Sequence, residues 1–382
     1  MDGMEIIQLE DGGKQRNEKD LNTQQLQLIF EPIKNWTIHL EGALRTTNTR
    51  QHWEVLPVYA HDVDGNPYAV SWDGGGSYAA GASRVNEYSY KENYYSTNIY
   101  TDYFKEFDSG HYFKVMVGFN SELYKTANLT GQKNTLISNS VPTLNTATES
   151  PTTSGGYAHN GVAGFFGRIN YSYKDRYMVE VNGRYDGSSR FIGDKRWGFF
   201  PSFSLGWNIA QENFWEDFAD VCNQLKFRFS YGELGNMNTN GWYPTYRAMT
   251  LKQANGSWLQ NGLKPNTAYV GDLISTALTW EKVRTWNIGL DWGLFNNRLT
   301  GSFDAYIRYT DNMVGPSVEL PATLGIATPK TNNCDLKTKG WELTIGWQDR
   351  TNFGMGYGIK FNVSDARTYI DRYPGNPTNS IN

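Results

Sequence analysis

The chain has 382 residues, of which 19% are charged and 15% aromatic, and a formal net charge of −4. Its mean hydropathy is −0.60 and its pI is near 5.8. No run of 18 apolar residues occurs, so membrane-spanning helices are excluded. The scattered Lys and Arg exclude the basic footprint of a nucleic-acid binder. Twenty-five Tyr, 13 Trp and 39 Gly against 13 Pro favour strands over helices. Cys222 and Cys334 sit in no Cys-x-x-Cys, so neither a disulfide framework nor a thiolate metal site is expected.

Met1-Asp2-Gly3-Met4-Glu5 shows no basic region leading into an apolar stretch, hence no secretory signal. That leaves a cytoplasmic protein or a chain shorter than its gene product. Three weak strands are predicted first, at about 22–30, 36–47 and 95–107. Period-two alternation then marks nine more, at 113–123, 165–173, 177–185, 199–209, 225–231, 286–294, 299–309, 341–347 and 355–363. In Tyr177 to Tyr185, for example, Tyr177, Val179, Val181, Gly183 and Tyr185 share one face. Across these nine strands the apolar face carries no Asp, Glu, Lys or Arg. The opposite face carries Lys114, Glu122, Arg168, Glu180, Arg184, Lys226, Arg228, Asp291, Asp304, Arg308, Glu342 and Lys360. Helical signal is confined to 212–218.

The connections alternate in length. Stretches 31–35, 108–112, 174–176, 295–298 and 348–354 are short, while 48–94, 124–164, 232–285 and 310–340 are long. The nearly equal 186–198 and 210–224 blur the alternation. A compact soluble domain rarely carries structureless loops beyond about 12–15 residues. Long loops at one end of antiparallel strands of similar length are the outer-membrane barrel pattern, in which tilted strands cross an apolar band about 25 Å tall. Aromatics gather at both strand ends, with Tyr171, Tyr173, Tyr177, Trp292, Phe295 and Trp347 at the short turns and Phe199, Tyr309 and Trp341 opposite. Two interfacial girdles account for this placement. The fold class expected is therefore all-β, an antiparallel transmembrane β-barrel of about twelve strands. Both chain ends would fall on the long-loop side, and 379–382 is polar, so a partial barrel is expected.

Several segments resemble the SusC/RagA family of TonB-linked outer-membrane transporters of Bacteroidetes. They are FFGRINYSYKDRYMVEVNGRYDGSSRF (165–191), RWGFFPSFSLGWNIAQENF (196–214), LKFRFSYGELGN (225–236), EKVRTWNIGLDWGLFNNRLTGSFDAYIRYTDNMV (281–314) and LPATLGIATPKTNNCDLKTKGWELTIGWQDR (320–350). The resemblance implies a larger barrel of 22 strands around a plug, with residues 1–382 as part of the barrel domain. It also implies uptake of oligosaccharides or peptides, energised by TonB, with a SusD-like surface lipoprotein delivering ligand. Signal peptide, TonB box, plug and closing strands are not in this chain, so coupling to TonB is expected through a segment outside it.

No G-x-S-x-G, H-E-x-x-H or P-loop occurs, and no enzymatic activity, cofactor or metal is expected. His39, His52, His61, His111 and His159 share no ligand spacing. Asp62-Val63-Asp64-Gly65-Asn66 resembles the start of a calcium loop, with Asp73 at its end. Its Gly falls at the wrong place, and a tight Asp-Gly turn is the preferred reading. Gly354, Gly356 and Gly358 are expected on the lumen face of a strand, and Asp186 to Arg190 in a turn. Long-loop aromatics Trp53, Tyr59, Tyr68, Trp72, Trp242 and Trp258, with Tyr78, Tyr243 and Tyr246, are candidates for stacking on ligand. Arg168, Glu180, Arg184, Lys226, Arg228, Asp291, Asp304, Arg308, Glu342 and Lys360 are expected to face the lumen. Two alternatives stand beside the transporter: a surface or adhesive barrel without transport, and a soluble glycan-binding β-domain.

Overall fold

The computed structural model describes residues 4–70, 81–239, 241–315, 321, 323, 325–326 and 328–374. Helix α1 (Met4–Asp11) leads into β1 (Gln15–Ile33), β2 (Trp36–Val55), β3 (Val58–His61), β4 (Pro67–Val70) and β5 (Arg84–Glu106). Then follow β6 (His111–Leu136), β7 (Ala147–Tyr173), β8 (Tyr177–Ser188), β9 (Trp197–Asn208) and β10 (Cys222–Asn236). The small strands β11 (Met249–Lys252) and β12 (Thr267–Val270) precede β13 (Glu281–Leu294), β14 (Leu299–Gly315), β15 (Thr331–Arg350) and β16 (Gly356–Arg372). Twelve strands form one sheet in the order β1-β2-β5-β6-β7-β8-β9-β10-β13-β14-β15-β16, while β3-β4 and β11-β12 are separate hairpins. All twelve expected strands are therefore present. The two hairpins and α1 were not foreseen.

The strands outrun their alternation signal. β6 and β7 are 26 and 27 residues long, so the loop expected over 124–164 is a strand hairpin closed by 137–146. Likewise β2 runs on to Val55 and β5 begins at Arg84, which shortens the loop expected over 48–94. The extensions of β6 and β7 are rich in Thr, Ser, Asn and Gly, and those of β2 and β5 mix charged, amide and aromatic residues. Alternation reports one apolar and one polar surrounding, and it vanishes where water bathes both faces. The length rule also fails once. The short-turn end carries 209–221, longer than 189–196 opposite, because two 3-10 turns, Ile209–Gln211 and Asn213–Phe218, are built there. The second coincides with the helical signal at 212–218. Glu212 anchors it, accepting from the Tyr177 hydroxyl (2.5 Å) and Trp207 Nε1 (3.0 Å). Those bonds, with Arg176 nearby, hold the Glu212 carboxyl below its ordinary range. Gly354 is not on the lumen face of a strand but in the β15–β16 turn at φ 94°, and β16 starts at Gly356. That left-handed conformation explains the glycine.

The chain divides into two compact units. The first comprises Met1–Gln27, Glu41–Thr97 and Glu122–Asn160. Here Gly13, at φ 104°, lies so close to the Glu54 carbonyl that a Cβ would collide with it. Backbone bonds Glu54 N to Lys14 O (3.1 Å) and Leu56 N to Gly12 O (3.0 Å) tie the N-terminal segment to β2. His52, on the far extension of β2, lies between Glu87 (2.6 Å) and Glu54 (3.1 Å). Partial burial opposes protonation of its imidazole, yet the two carboxylates outweigh it and raise the pKa above the ordinary 6.5. A raised pKa means that the contact stabilises fully below 6.5 and is lost as pH rises through the higher folded value. The protection of 50–56 against hydrogen exchange, taken relative to the intrinsic base-catalysed rate, should therefore fall from pH 6 to pH 8, and His52→Gln should flatten that fall. An unchanged profile in the variant would contradict this role.

The second unit, Leu28–Leu40, Asn98–Ser121 and Gly161–Asn382, contains the strand register that defines the two faces. Antiparallel pairing joins each strand of the sheet to the next from β7 to β16, with irregularities at 222–224, 310–314 and 335–336 near strand ends. Val181 stands opposite Ile169 and Phe203, and Ile288 opposite Phe229 and Ala305. These apolar residues are exposed: Ile169 by 49%, Val181 by 48%, Ile288 by 51%. A contiguous apolar face of this extent requires a nonaqueous neighbour. The buried core is small and lies at the long-loop end, where Phe191, Phe200, Leu278 and Trp280 pack with Met237 and Val314.

Candidate functional site

The opposite face of the same strands forms a trough of about 940 Å³, in which polar side chains stand beside Tyr100, Met116, Phe166, Phe200 and Leu234. Strand alternation places Arg168, Glu180, Asn182 and Arg184 there from β7 and β8, with Ser202 and Ser204 of β9 and Ser230 of β10 beside them, while Asn170 lines the adjoining concavity. The side chains bond to one another. Arg168 Nε donates to Asn182 Oδ1 (2.6 Å), and Asn182 and Asn170 each donate to Glu180 (2.8 and 2.6 Å). Arg184 forks onto Asp186 (3.1 and 2.8 Å) and reaches Asn120 (3.1 Å). The trough thus presents ordered amides, hydroxyls and charges to a polar solute.

Further along, Arg228 binds Asp291 through Nε (2.7 Å) and Nη2 (2.9 Å), and Asp304 through Nη2 (3.0 Å). Such bidentate pairing fixes a guanidinium in place. Lys226 and Arg228 line a neighbouring concavity with Glu180. Lys360 lines a separate one. Glu342 stands opposite Asp304, and Arg308 lies over the Tyr306 ring, 5.7 Å from its centre. Hence Arg168, Glu180 and Arg184 come together, Arg228, Asp291 and Asp304 form a second group, and Arg308, Glu342 and Lys360 join neither.

Sequence reasoning missed a third cluster. Asp102, on the weakly patterned β5, accepts from Lys114 Nζ (3.1 Å) and lies 3.3 Å from His39 Nε2. The His39 ring stacks on Tyr100 at 4.3 Å, and its Nδ1 finds no partner among the described residues. Asp102 is 9% exposed, and a buried charge implies a partner. An acid between the tyrosines Tyr100 and Tyr103 of β5 was the available signal.

The aromatic candidates are dispersed. In the first unit Trp53 is in β2 rather than a loop, under the Arg84 guanidinium at 4.8 Å. Tyr59 pairs with Ala69 and Tyr68 with Ala60, so the two tyrosines occupy opposite faces of the β3–β4 hairpin. The connection of that hairpin is the Asp-Gly turn. Asp62 Oδ1 accepts from the amides of Asp64 (2.9 Å) and Asn66 (2.8 Å), bonds that lower the Asp62 pKa, led by Asn66. Trp72, Asp73 and Tyr78 lie outside the described residues. In the second unit Trp242 and the exposed Trp258 both belong to 237–280, and Tyr243 meets Tyr246 edge-on at 6.2 Å. Of the turn expected over 186–190, Asp186 to Ser188 belong instead to the end of β8, and only Ser189 and Arg190 form a turn. Gly161 N donates to Ser189 Oγ (3.0 Å), and Arg190 Nη1 donates to the Met237 carbonyl (3.0 Å).

A family model for the TonB dependent receptor-like β-barrel matches residues 8–382. TonB-dependent receptor SusC of Bacteroides thetaiotaomicron is 31% identical over 327 residues, 79% of this chain and 31% of that protein. TonB-dependent receptor P26 of Formosa agariphila is 33% identical over 220 residues, 58% of this chain and 21% of that protein. The solved structure of the RagAB peptide transporter superposes with a TM-score of 0.81 at 21% identity, covering 96% of this chain and 38% of that one. The chain spans about a third or less of the length of these curated relatives.

Proposed function

Because the chain belongs to the TonB-dependent receptor β-barrel family of the outer membrane, we propose that it forms part of the wall of a TonB-driven importer of oligosaccharides or peptides. The carrying observation is the two-faced sheet. One face is apolar and exposed, as a lipid-facing wall must be, while the other holds the hydrogen-bonded polar groups around Glu180 and around Arg228. The exposed apolar face and the family membership set the soluble glycan-binding reading aside.

In this reading the residues from Arg168 to Lys360 named above line the lumen, and the aromatics Trp53, Tyr59, Tyr68, Trp72, Trp242 and Trp258 contribute to ligand capture. Residues 1–382 form a portion of a larger barrel. Among the described residues β1 and β16 each have a neighbour on one side only, and backbone groups facing hydrocarbon need partners. Further strands of the same protein would supply them, and a plug would fill the lumen and carry the contact to TonB. A SusD-like lipoprotein would deliver ligand from outside.

The test is uptake of labelled oligosaccharides and peptides by cells expressing the full-length protein, with and without TonB. Accumulation of either class that ceases without TonB supports the reading and assigns the substrate class. Accumulation that survives loss of TonB, or surface binding without accumulation, contradicts it. The second outcome favours the adhesive barrel.

A further inference from the structure

The apolar face changes character near the long-loop end of β14, β15 and β16. Up to Trp341 on β15 it is uncharged on β14 and β15, and then Lys339 and Lys337 follow at the next two positions of that face. Lys339 stands directly opposite Arg367 of β16, and Lys337 opposite Tyr309 of β14 and Tyr369 of β16. Tyr309 lies roughly 25 Å above Leu299, taking about 3.3 Å per residue along a tilted strand. The cluster therefore sits where hydrocarbon gives way to headgroups, on the side of the long loops, which in this class of barrel is the cell exterior.

The charge balance of this belt is incomplete. Lys282 lies 3.6 Å from Glu233, Arg284 2.5 Å from Asp311, and Arg367 3.4 Å from Asp365. Lys337 and Lys339 have no carboxylate within ion-pair distance among the described residues. The Lys337 ammonium rests over the Tyr309 ring at 5.0 Å, and the Arg284 guanidinium approaches the same ring at 5.5 Å. Like charges directly opposite on adjacent strands repel, as Lys339 and Arg367 do. Asp365, opposite Trp341 on the same face, pairs with Arg367, which leaves Lys337 and Lys339 to be neutralised by an anion from outside the chain, and at this depth lipid phosphates supply one. Long cationic side chains beside tyrosines at an interface are suited to that contact, with stems in the apolar layer and charges at headgroup level.

We propose that Lys337, Lys339 and Arg367 hold the phosphoryl group of an outer-leaflet lipid against the barrel exterior. Lys337 and Lys339 supply unneutralised charge, and the Arg367 guanidinium adds directional bonds to phosphate oxygens. The site is on the face away from the trough and serves attachment to the leaflet, separate from solute passage.

The experiment uses the full-length protein in nanodiscs, with diphosphorylated lipid A and its dephosphorylated form as probes and native mass spectrometry as readout. The combined Lys337→Gln, Lys339→Gln, Arg367→Gln variant should bind diphosphorylated lipid A roughly a hundredfold more weakly, at about fivefold per cation. The native protein should show the same loss towards the dephosphorylated lipid, and Lys337→Arg with Lys339→Arg should retain binding. If the triple variant fails the heat-modifiability test for a folded barrel, single Lys339→Gln replaces it, with severalfold weaker binding expected. Binding within twofold of native in the folded variant, or equal binding of both lipids by native protein, overturns the proposal. Displacement by millimolar inorganic phosphate also overturns it, because the site would then be one for a free anion.

Discussion

Ile288→Arg is expected to destabilise the barrel in lipid by about 2–4 kcal/mol, the cost of a cation near the bilayer midplane. Ile288 is 51% exposed on the apolar face, between Phe229 and Ala305 of the neighbouring strands. Its chain neighbour Asn287 lies opposite Ser230 and Tyr306 on the polar face, so Asn287→Arg should change stability by less than about 1 kcal/mol. Denaturant unfolding of the full-length protein in vesicles, followed by tryptophan fluorescence, separates the two. Equal effects would mean that both faces meet the same solvent. The contrast depends on alternation alone, since the two positions share strand, depth and substitution.

Phe191→Ala should remove about 3–5 kcal/mol of local stability at the long-loop end, as emptying a filled aromatic site does. Phe191 is fully buried and packs on Trp280 at 5.6 Å between ring centres. Trp280 in turn donates from Nε1 to the Arg196 carbonyl (2.9 Å), and Thr245 Oγ1 donates to the Arg190 carbonyl (3.1 Å). These contacts bind 189–196 to 237–280, so proteolysis within 237–280 should accelerate by two orders of magnitude or more. Phe191→Leu should cost about 1–2 kcal/mol. Unchanged proteolysis in the alanine variant would show that the cluster does not hold these loops.

The same physical signal explains what was legible in the sequence. Where a strand divides lipid from water, each residue is chosen by its face, and Tyr177 to Tyr185 reads without ambiguity. The extensions of β6 and β7 past about residue 124 were hidden because Thr, Ser and Asn suit either wet face. The 3-10 turns at 209–221 depend on Glu212 reaching Tyr177 and Trp207, a tertiary relation that no local pattern contains. Asp291 and Asp304 were legible as polar-face residues. That both converge on Arg228 required strand register, and Asp102 required the neighbours of a strand with little alternation.

Single cysteines along β14 test the central claim most directly. With Cys222 and Cys334 replaced by Ser in the full-length protein, Ser302→Cys, Asp304→Cys and Tyr306→Cys should react with a water-soluble maleimide. Labels at Phe303→Cys, Ala305→Cys and Ile307→Cys should instead be quenched by a lipid-borne nitroxide. Alternation of that phase along the strand is the predicted result. Uniform access to water at all six positions, or lipid contact at 302, 304 and 306, would contradict the assignment of lumen and lipid faces.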